Sequence, residues 1–304
     1  MAIHTFQPSI FHVTLGSHEP VLKIADGDTV ITWCVDNAGR DAQDRQITAG
    51  GNPQTGPFYV ADARPGDTLA VTFDKIWPNR KIGRTAGSVA PNVVDPSYVP
   101  ELPRERERDE WELDLERGTA RLIHARPGLE ALQELAFEPM IGCFGVAPDR
   151  GQSISCATSG PYGGNMDYRG FGQGVTVYFP VFAEGALFHL GDGHAVQGDG
   201  EIVGTGIEVS FDVQFTVRVL RGKTIRWPRA ENEHSIMAAG NARPLDQASQ
   251  HATTELMRWL AEDYGLDSRA SSILLGQCIR YDIGNIFDPA YTMIARIEKR
   301  FLRK

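Results

Sequence analysis

The segment "GIEVSFDVQFTVRVL" (Gly206 to Leu220) constrains this chain more than any other. Ile207, Val209, Phe211, Val213, Phe215, Val217 and Val219 share one parity, and mostly polar residues take the other. On a helix these apolar side chains would scatter around the whole circumference. A period of two held this long predicts an antiparallel strand with one buried and one wet face. Such a strand needs partners, and the sequence supplies them. "GVTVYFPVF" (Gly174 to Phe182) reads as a largely apolar, central strand. "ADGDTVITWCV" (Ala25 to Val35) is echoed by "ARPGDTLAVTF" (Ala63 to Phe73), each a Gly-Asp-Thr turn leading into alternation. "DEWELDLERGTARLIHA" (Asp109 to Ala125) reads as a hairpin with Trp111, Leu113 and Leu115 on one face and its turn at Arg117-Gly118.

Helix enters only late. Asp246 is placed to cap a helix running to about Tyr264, stopped by Gly265, with Ala248, Ala252, Leu256, Trp259 and Leu260 as its buried stripe. Ser268 is placed to cap a shorter one ending near Gly276, and "AYTMIARIEKRF" alternates as a last strand. The fold expected is mainly β, a β-rich α+β chain. It divides into an N-terminal β-sandwich portion (1–125) and a portion (126–304) carrying the site loops and C-terminal helices, joined as one unit.

The 304 residues are 41% hydrophobic, enough for a sizeable core, and the formal net charge is −9, which argues against a nucleic-acid partner. The densest charge run, Arg104 to Gly118, mixes both signs and reads as a solvated strand face. No apolar run is long enough for a membrane span, and the N-terminus lacks the pattern of a signal peptide. Cys34, Cys143, Cys156 and Cys278 are scattered, without a CxxC pair, as reduced thiols of a cytoplasmic protein would be. A long exposed sheet edge leads us to expect a homodimer or higher homo-oligomer.

Chemistry concentrates in "HLGDGHAVQGDGEIVGTGIE" (His189 to Glu208), expected as a glycine-rich loop between a strand ending near His189 and one beginning near Gly206. Asp192 and His194 are two apart, as are Asp199 and Glu201, so in extended backbone each pair points to one side. One imidazole with two or three carboxylates suits zinc, whereas calcium takes more oxygens and no histidine. The alternative is a long turn whose aspartates cap backbone amides. In "SGPYGGNMDYRG" (Ser159 to Gly170), Gly163 and Gly164 permit positive φ and close approach of a ligand, and Asn165 and Asp167 share a face. Asn165 offers an amide donor for a carbonyl oxygen; again the alternative is a turn. Asp36 closes a strand in "CVDNAGRD", where a turn cap is the simpler reading. His4, His12, His18, His124 and His251 read as sheet or surface residues, and His234 as a loop residue that could face a site.

Taken together, "NPQTGPFYVADARPGDTLAVTF" (Asn52 to Phe73), "MIGCFGVAP" (Met140 to Pro148), "GPYGGNMD" (Gly160 to Asp167) and "ALFHLGDGHAVQGDGEIVGTGIE" (Ala186 to Glu208) resemble the acetamidase/formamidase family in order and spacing, over most of the chain. The resemblance implies a jelly-roll-like β-sandwich with added α+β structure, and an amidase releasing ammonia from short amides such as formamide or acetamide. It also implies a divalent metal, which several members carry. Asp192 and His194 match the family's Gly-Asp-x-His, Asp199 and Glu201 its Gly-Asp-Gly-Glu, and Asn165 and Asp167 its Gly-Gly-Asn-x-Asp; Asp36 sits where members place an acid after the first long strand. Cys143 departs from the aliphatic residue expected there, and "DNAGRDAQDRQITAGG" is a variable stretch. The site expected has Asp36, Asp192 and His194 on a divalent metal, zinc with calcium as the alternative. Glu201 or Asp199 is the catalytic base, and Gly163, Gly164, Asn165 and Asp167 bind a small amide. Two rivals stand beside it: an amidase with Cys143 or Cys156 as nucleophile, and a non-catalytic metal-binding sandwich module.

Overall fold

The computed structural model of the chain describes residues 1–104, 107–124, 126–130, 132 and 134–303. The alternating segment forms the strand Phe211–Leu220, in the nine-stranded sheet of the described residues. It is flanked antiparallel by Thr29–Cys34 on one side and Thr68–Pro78 on the other. These are the two strands that follow the echoed Gly-Asp-Thr turns, so the echo marks two strands serving one partner. Thr176–Pro180 pairs with Thr68–Pro78 and lies in mid-sheet, as its apolar character predicts. The C-terminal strands Ser235–Ala242, Tyr291–Glu298 and Arg280–Asn285 complete the sheet.

A seven-stranded sheet faces it, with Met140–Gly145, Phe188–His194 and Gln54–Val60 as its central neighbours. Aromatic rings weld the two. Phe58 and Phe188 of this sheet each lie 5.2 Å from Phe215 of the other, and Phe144 lies 5.0 Å from Phe73 and 5.6 Å from Phe179, all fully buried. A third sheet holds the hairpin Arg108–Asp114/Thr119–Leu122, with Trp111 and Leu113 buried as expected and Leu115 packed against the core. Ala125, the last residue of the hairpin as read from sequence and of the N-terminal portion, lies outside the described residues, as do Glu105 and Arg106 of the charge run. Strands from both halves of the chain interleave in both large sheets. The architecture is a β-rich α+β fold in which two sheets enclose one core.

Two α-helices lie among the described residues, Leu245–Tyr264 and Ser268–Cys278. The first buries the expected stripe against Ile236, Ala238, Met293, Ala295 and Ile297, and Gly265 ends it in the left-handed conformation. Its N-cap is Pro244 rather than Asp246, which sits in the first turn, where a carboxylate favours the helix dipole. The second is capped by Asp267, whose side chain accepts from Ala270 N, rather than by Ser268, and it runs on to Cys278. Two other boundaries differ from the sequence reading. The strand before the glycine-rich stretch runs on through His194, and the long strand begins at Phe211.

Because Phe215 touches two rings of the facing sheet, Phe215→Ala leaves a cavity at the weld. We expect a loss of about 3–5 kcal/mol in unfolding free energy, read from the midpoint of a urea titration.

Candidate active site

Extending the strand to His194 places Asp192 and His194 on rigid backbone in the middle of a sheet. Alternation is broken at Asp192, whose φ is +67°. Leu190 belongs to the inter-sheet core, and three residues on, Gly193 again meets a core ring: a Cβ there would come 2.1 Å from Phe211. Strict alternation would put these two on opposite faces. The left-handed Asp192 absorbs the difference and turns its carboxylate beside His194, with Oδ1 3.4 Å from Nε2.

Around His194 the fold gathers Asp167, Asp192, Glu201 and Glu208, with Asp288 beside them; His194 is fully buried and all five acids are buried. Asp167, Asp192 and Glu201 all have positive φ, which is uncommon outside glycine and concentrates at functional sites. Neutral amides hold the cluster. Asn285 Nδ2 donates to Asp167 Oδ2 (2.7 Å), Glu201 Oε2 (2.8 Å) and Asp288 Oδ2 (3.1 Å). Asn52 Nδ2 donates to Asp192 Oδ2 (2.9 Å) and Asn165 Oδ1 (2.7 Å), and Asn165 Nδ2 to Asp288 Oδ2 (2.6 Å). Among the described residues, no lysine or arginine pairs with any of the five acids.

The tautomer of His194 follows from its neighbour. Gln197 Nε2 donates to the Asp167 carbonyl at 2.6 Å, so Gln197 Oε1 faces His194 Nδ1 at 2.8 Å and accepts a hydrogen bond from Nδ1–H. Nε2 then turns into the acids, 2.9 Å from Glu208 Oε1, yet neither that oxygen nor Asp192 Oδ1 completes a hydrogen bond with it. Asp167 Oδ1 and Glu208 Oε2 are likewise buried without a hydrogen-bond partner. A buried ring nitrogen that faces only acceptors, with its far nitrogen fixed by an outer residue, suits a metal ligand; without a cation the neighbouring acids favour a proton there. Two trios, Asp167/His194/Glu201 and Asp192/His194/Glu208, have ligand atoms within 4.8 Å of one another. These residues fit a divalent cation.

Electrostatics agree. Burial, with the nearby carboxylates, pushes Asp167 and Glu201 well above the usual carboxylate range, and burial raises Glu208 and Asp288 each to about 7. For His194, burial lowers the pKa, but Glu208 and Asp192 outweigh it and lift the group well above its ordinary value. The glycines leave room. A Cβ on Gly142 would lie 2.3 Å from Asp167 Oδ1 and 2.8 Å from Asp192 Oδ2, and one on Gly206 would lie 2.6 Å from the His194 ring.

The remaining candidates fall elsewhere. Asp36 is buried, but its Oδ1 accepts from Ala38 N and Arg40 N and its Oδ2 from Arg80 at 2.6 Å, which makes it the clasp of a turn. Asp199 is 65% exposed and lies 3.6 Å from Arg169. Gly163 and Gly164 take positive φ to bring strands together: a Cβ would meet the Phe144 carbonyl at 2.6 Å and the Thr158 carbonyl at 2.5 Å. His189 hydrogen-bonds the Gly16 carbonyl and packs edge-on to the stacked rings of His12 and His18; burial lowers it to about 3. His234 is exposed. Sequence reasoning missed Glu208, Asp288, Asn52, Asn285 and Gln197. Glu208 stands on the wet parity of the alternating segment, but that segment leaves the sheet before Phe211: the Glu208 backbone bridges to Arg84 and His194, and its side chain is buried with Oε1 2.9 Å from His194 Nε2.

A cavity of about 240 Å³ opens onto the cluster, lined by Asn52, Asn165, Asp192, Glu201, Glu208 and Asp288 among others. Comparison with known proteins places the chain. Residues 153–255 match the acetamidase/formamidase family. An acetamidase structure from Yersinia enterocolitica superposes with a TM-score of 0.86 at 32% identity, over 99% of this chain and 93% of that one. The superposition shows a β-rich α+β fold shared with that acetamidase structure. This chain belongs to the acetamidase/formamidase family. An acetamidase of Mycolicibacterium smegmatis is 43% identical over 84 residues, 27% of this chain and 20% of that protein. A putative formamidase of Schizosaccharomyces pombe is 23% identical over 66% of this chain and 61% of its own length. The chain thus spans less than two thirds of either curated relative. No helix among the described residues is long and apolar enough to cross a membrane.

Two outcomes follow from this geometry. Gly142→Ala should fold but lose affinity for a divalent cation, measured by isothermal titration with zinc, since its methyl group displaces the Asp167 and Asp192 oxygens. The second concerns pH. Glu208 and Asp288 have folded values raised to about 7, so their stabilisation is full below the unfolded carboxylate values and is lost as pH rises through about 7. His189 works oppositely, but only below its unfolded value near 6.5. Chelator-treated protein should therefore lose Tm from pH 6.5 to 8, and added zinc should flatten that slope.

Proposed function

We propose that this protein is an amidase that hydrolyses the C–N bond of small primary amides to a carboxylic acid and ammonia, with zinc as its metal. What carries the reading is the buried His194 Nε2 with its unpartnered acid oxygens at the foot of a substrate-sized opening. His194, Asp192, Glu208 and Asp167 are the residues that would hold the cation. One imidazole among carboxylates favours zinc over calcium. When bound, such a cation polarises a carbonyl and lowers the pKa of water.

The chain's own residues do the rest. Glu201 lines the cavity, is fixed through Asn285, and has an elevated pKa caused first by burial and then by Asp167. A carboxylate so held, its proton affinity raised, takes a proton from water and returns it to the leaving nitrogen. Asp199, at the surface beside Arg169, is poorly placed for that role, so it passes to Glu201. Asn165 also lines the cavity, and one of its two amide N–H bonds is committed to Asp288, which leaves the other for the substrate carbonyl oxygen.

The thiol alternative loses support. Cys143 and Cys156 are fully buried, and burial, then Cys156, then Asp192 and Asp167 push the Cys143 thiol well above its ordinary value. A nucleophilic cysteine needs the reverse, a lowered pKa beside a base.

The test is ammonia release by zinc-loaded protein from a series of primary amides beginning with formamide and acetamide; no release from any of them would overturn the reading. Glu201→Gln should lower kcat by roughly 10²–10⁴-fold while zinc content, read by atomic absorption, holds. Cys143→Ala should retain most activity, and complete loss in a folded variant would restore the thiol mechanism.

A further inference from the structure

A second cavity, of about 490 Å³, adjoins the acid site, and Arg108 and Gly204 line both. Its walls are largely apolar: Val89, Val99, Leu102, Val203 and Phe287 contribute. The join is built into the chain. Glu201 opens a turn closed by a hydrogen bond from Gly204 N to its carbonyl at 2.7 Å, so the turn that presents the Glu201 carboxylate to the acid site presents Val203 and Gly204 to the apolar wall. Phe287 lines the apolar cavity and its neighbour Asp288 the acid site. Thr205, three residues before Glu208, holds the opposite wall through a hydrogen bond from Ala86 N at 2.8 Å. Gly204 is required at the passage, since a Cβ there would meet the Phe287 ring at 2.4 Å.

We infer that this cavity receives the apolar acyl chain of the substrate, so that the amides preferred by this protein carry aliphatic chains of several carbons rather than a formyl or acetyl group. The inference rests on the amidase reading above. An acetyl group would sit at the acid site and leave the adjoining cavity to water. Its volume falls within the range of pockets that enclose whole small ligands. The charged residues of its lining, Arg104 and Arg108, are exposed, and apart from Ser88 and Thr205 the rest are apolar or glycine. Each methylene placed in such a pocket improves transition-state binding on the order of tenfold when the fit is close.

The experiment compares kcat/KM for acetamide and hexanamide by ammonia release, alongside thermal shifts of the zinc-loaded protein with each amide. We expect hexanamide to exceed acetamide by at least about tenfold and to raise Tm where acetamide at equal concentration does not. Val203→Trp from one wall and Leu102→Trp from the other fill the cavity, and each should collapse the hexanamide/acetamide ratio. Turnover of acetamide with no gain for hexanamide would overturn the inference and leave the amidase reading standing, as would a ratio unmoved in both folded variants. A Tm shift by hexanamide with no ammonia from any amide would support the cavity's occupant and overturn the amidase reading instead.

Discussion

Five carboxylates packed around one imidazole in a dry interior repel one another, and the local structure is arranged to tolerate that repulsion. Like charges at such distances cannot all ionise unless positive charge joins them. The surrounding side chains are amides rather than arginines: Asn52, Asn165, Asn285 and Gln197 orient the oxygens without neutralising them. Among the described residues, the buried arginine near this end, Arg80, is already committed to Asp36. Glycines at 142, 193 and 206 clear the volume that oxygens, ring and strand occupy. Charge balance is thereby left to protons or to a cation.

How far the sequence discloses this depends on which forces act locally. The strand Phe211–Leu220, the mid-sheet strand Thr176–Pro180 and the buried stripe of the first helix are legible because apolar periodicity is itself the packing instruction. Asp192, His194, Glu201, Asn165 and Asp167 are legible as a group because two short segments concentrate them. Glu208 was hidden by the very alternation that made its neighbours clear: the wet parity predicts solvent, and only the departure of the chain from the sheet before Phe211 turns it inward. Asp288 and Asn285 were hidden by distance, since Asn285 ends a strand whose tertiary position brings it to Asp167, over a hundred residues away in the chain. Asp36 and Asp199 show the converse limit. An acid at a strand end or in a Gly-Asp-Gly run has the right type, but Arg80 and Arg169 compete for it, and neither competitor is near in sequence.

The strand from Phe188 to His194 joins the two halves of this chemistry. Its first residues are core, with Phe188 against Phe215, and its last belong to the acid–imidazole cluster. A single left-handed aspartate separates the two uses. Because that aspartate lies between paired strands, the site is braced by the sheet rather than carried on a free loop, which is what a centre needing fixed ligand geometry requires.

The interleaving of strands has a kinetic side. Thr29–Cys34 finds its partner in Phe211–Leu220, and the acid centre draws on residues from Asn52 to Asp288. Pairings so remote along the chain make for slow folding. No early stretch emerging from the ribosome holds a usable set of ligands, for Glu201, Glu208 and Asp288 arrive late. A cation held there would therefore enter a finished fold rather than nucleate it.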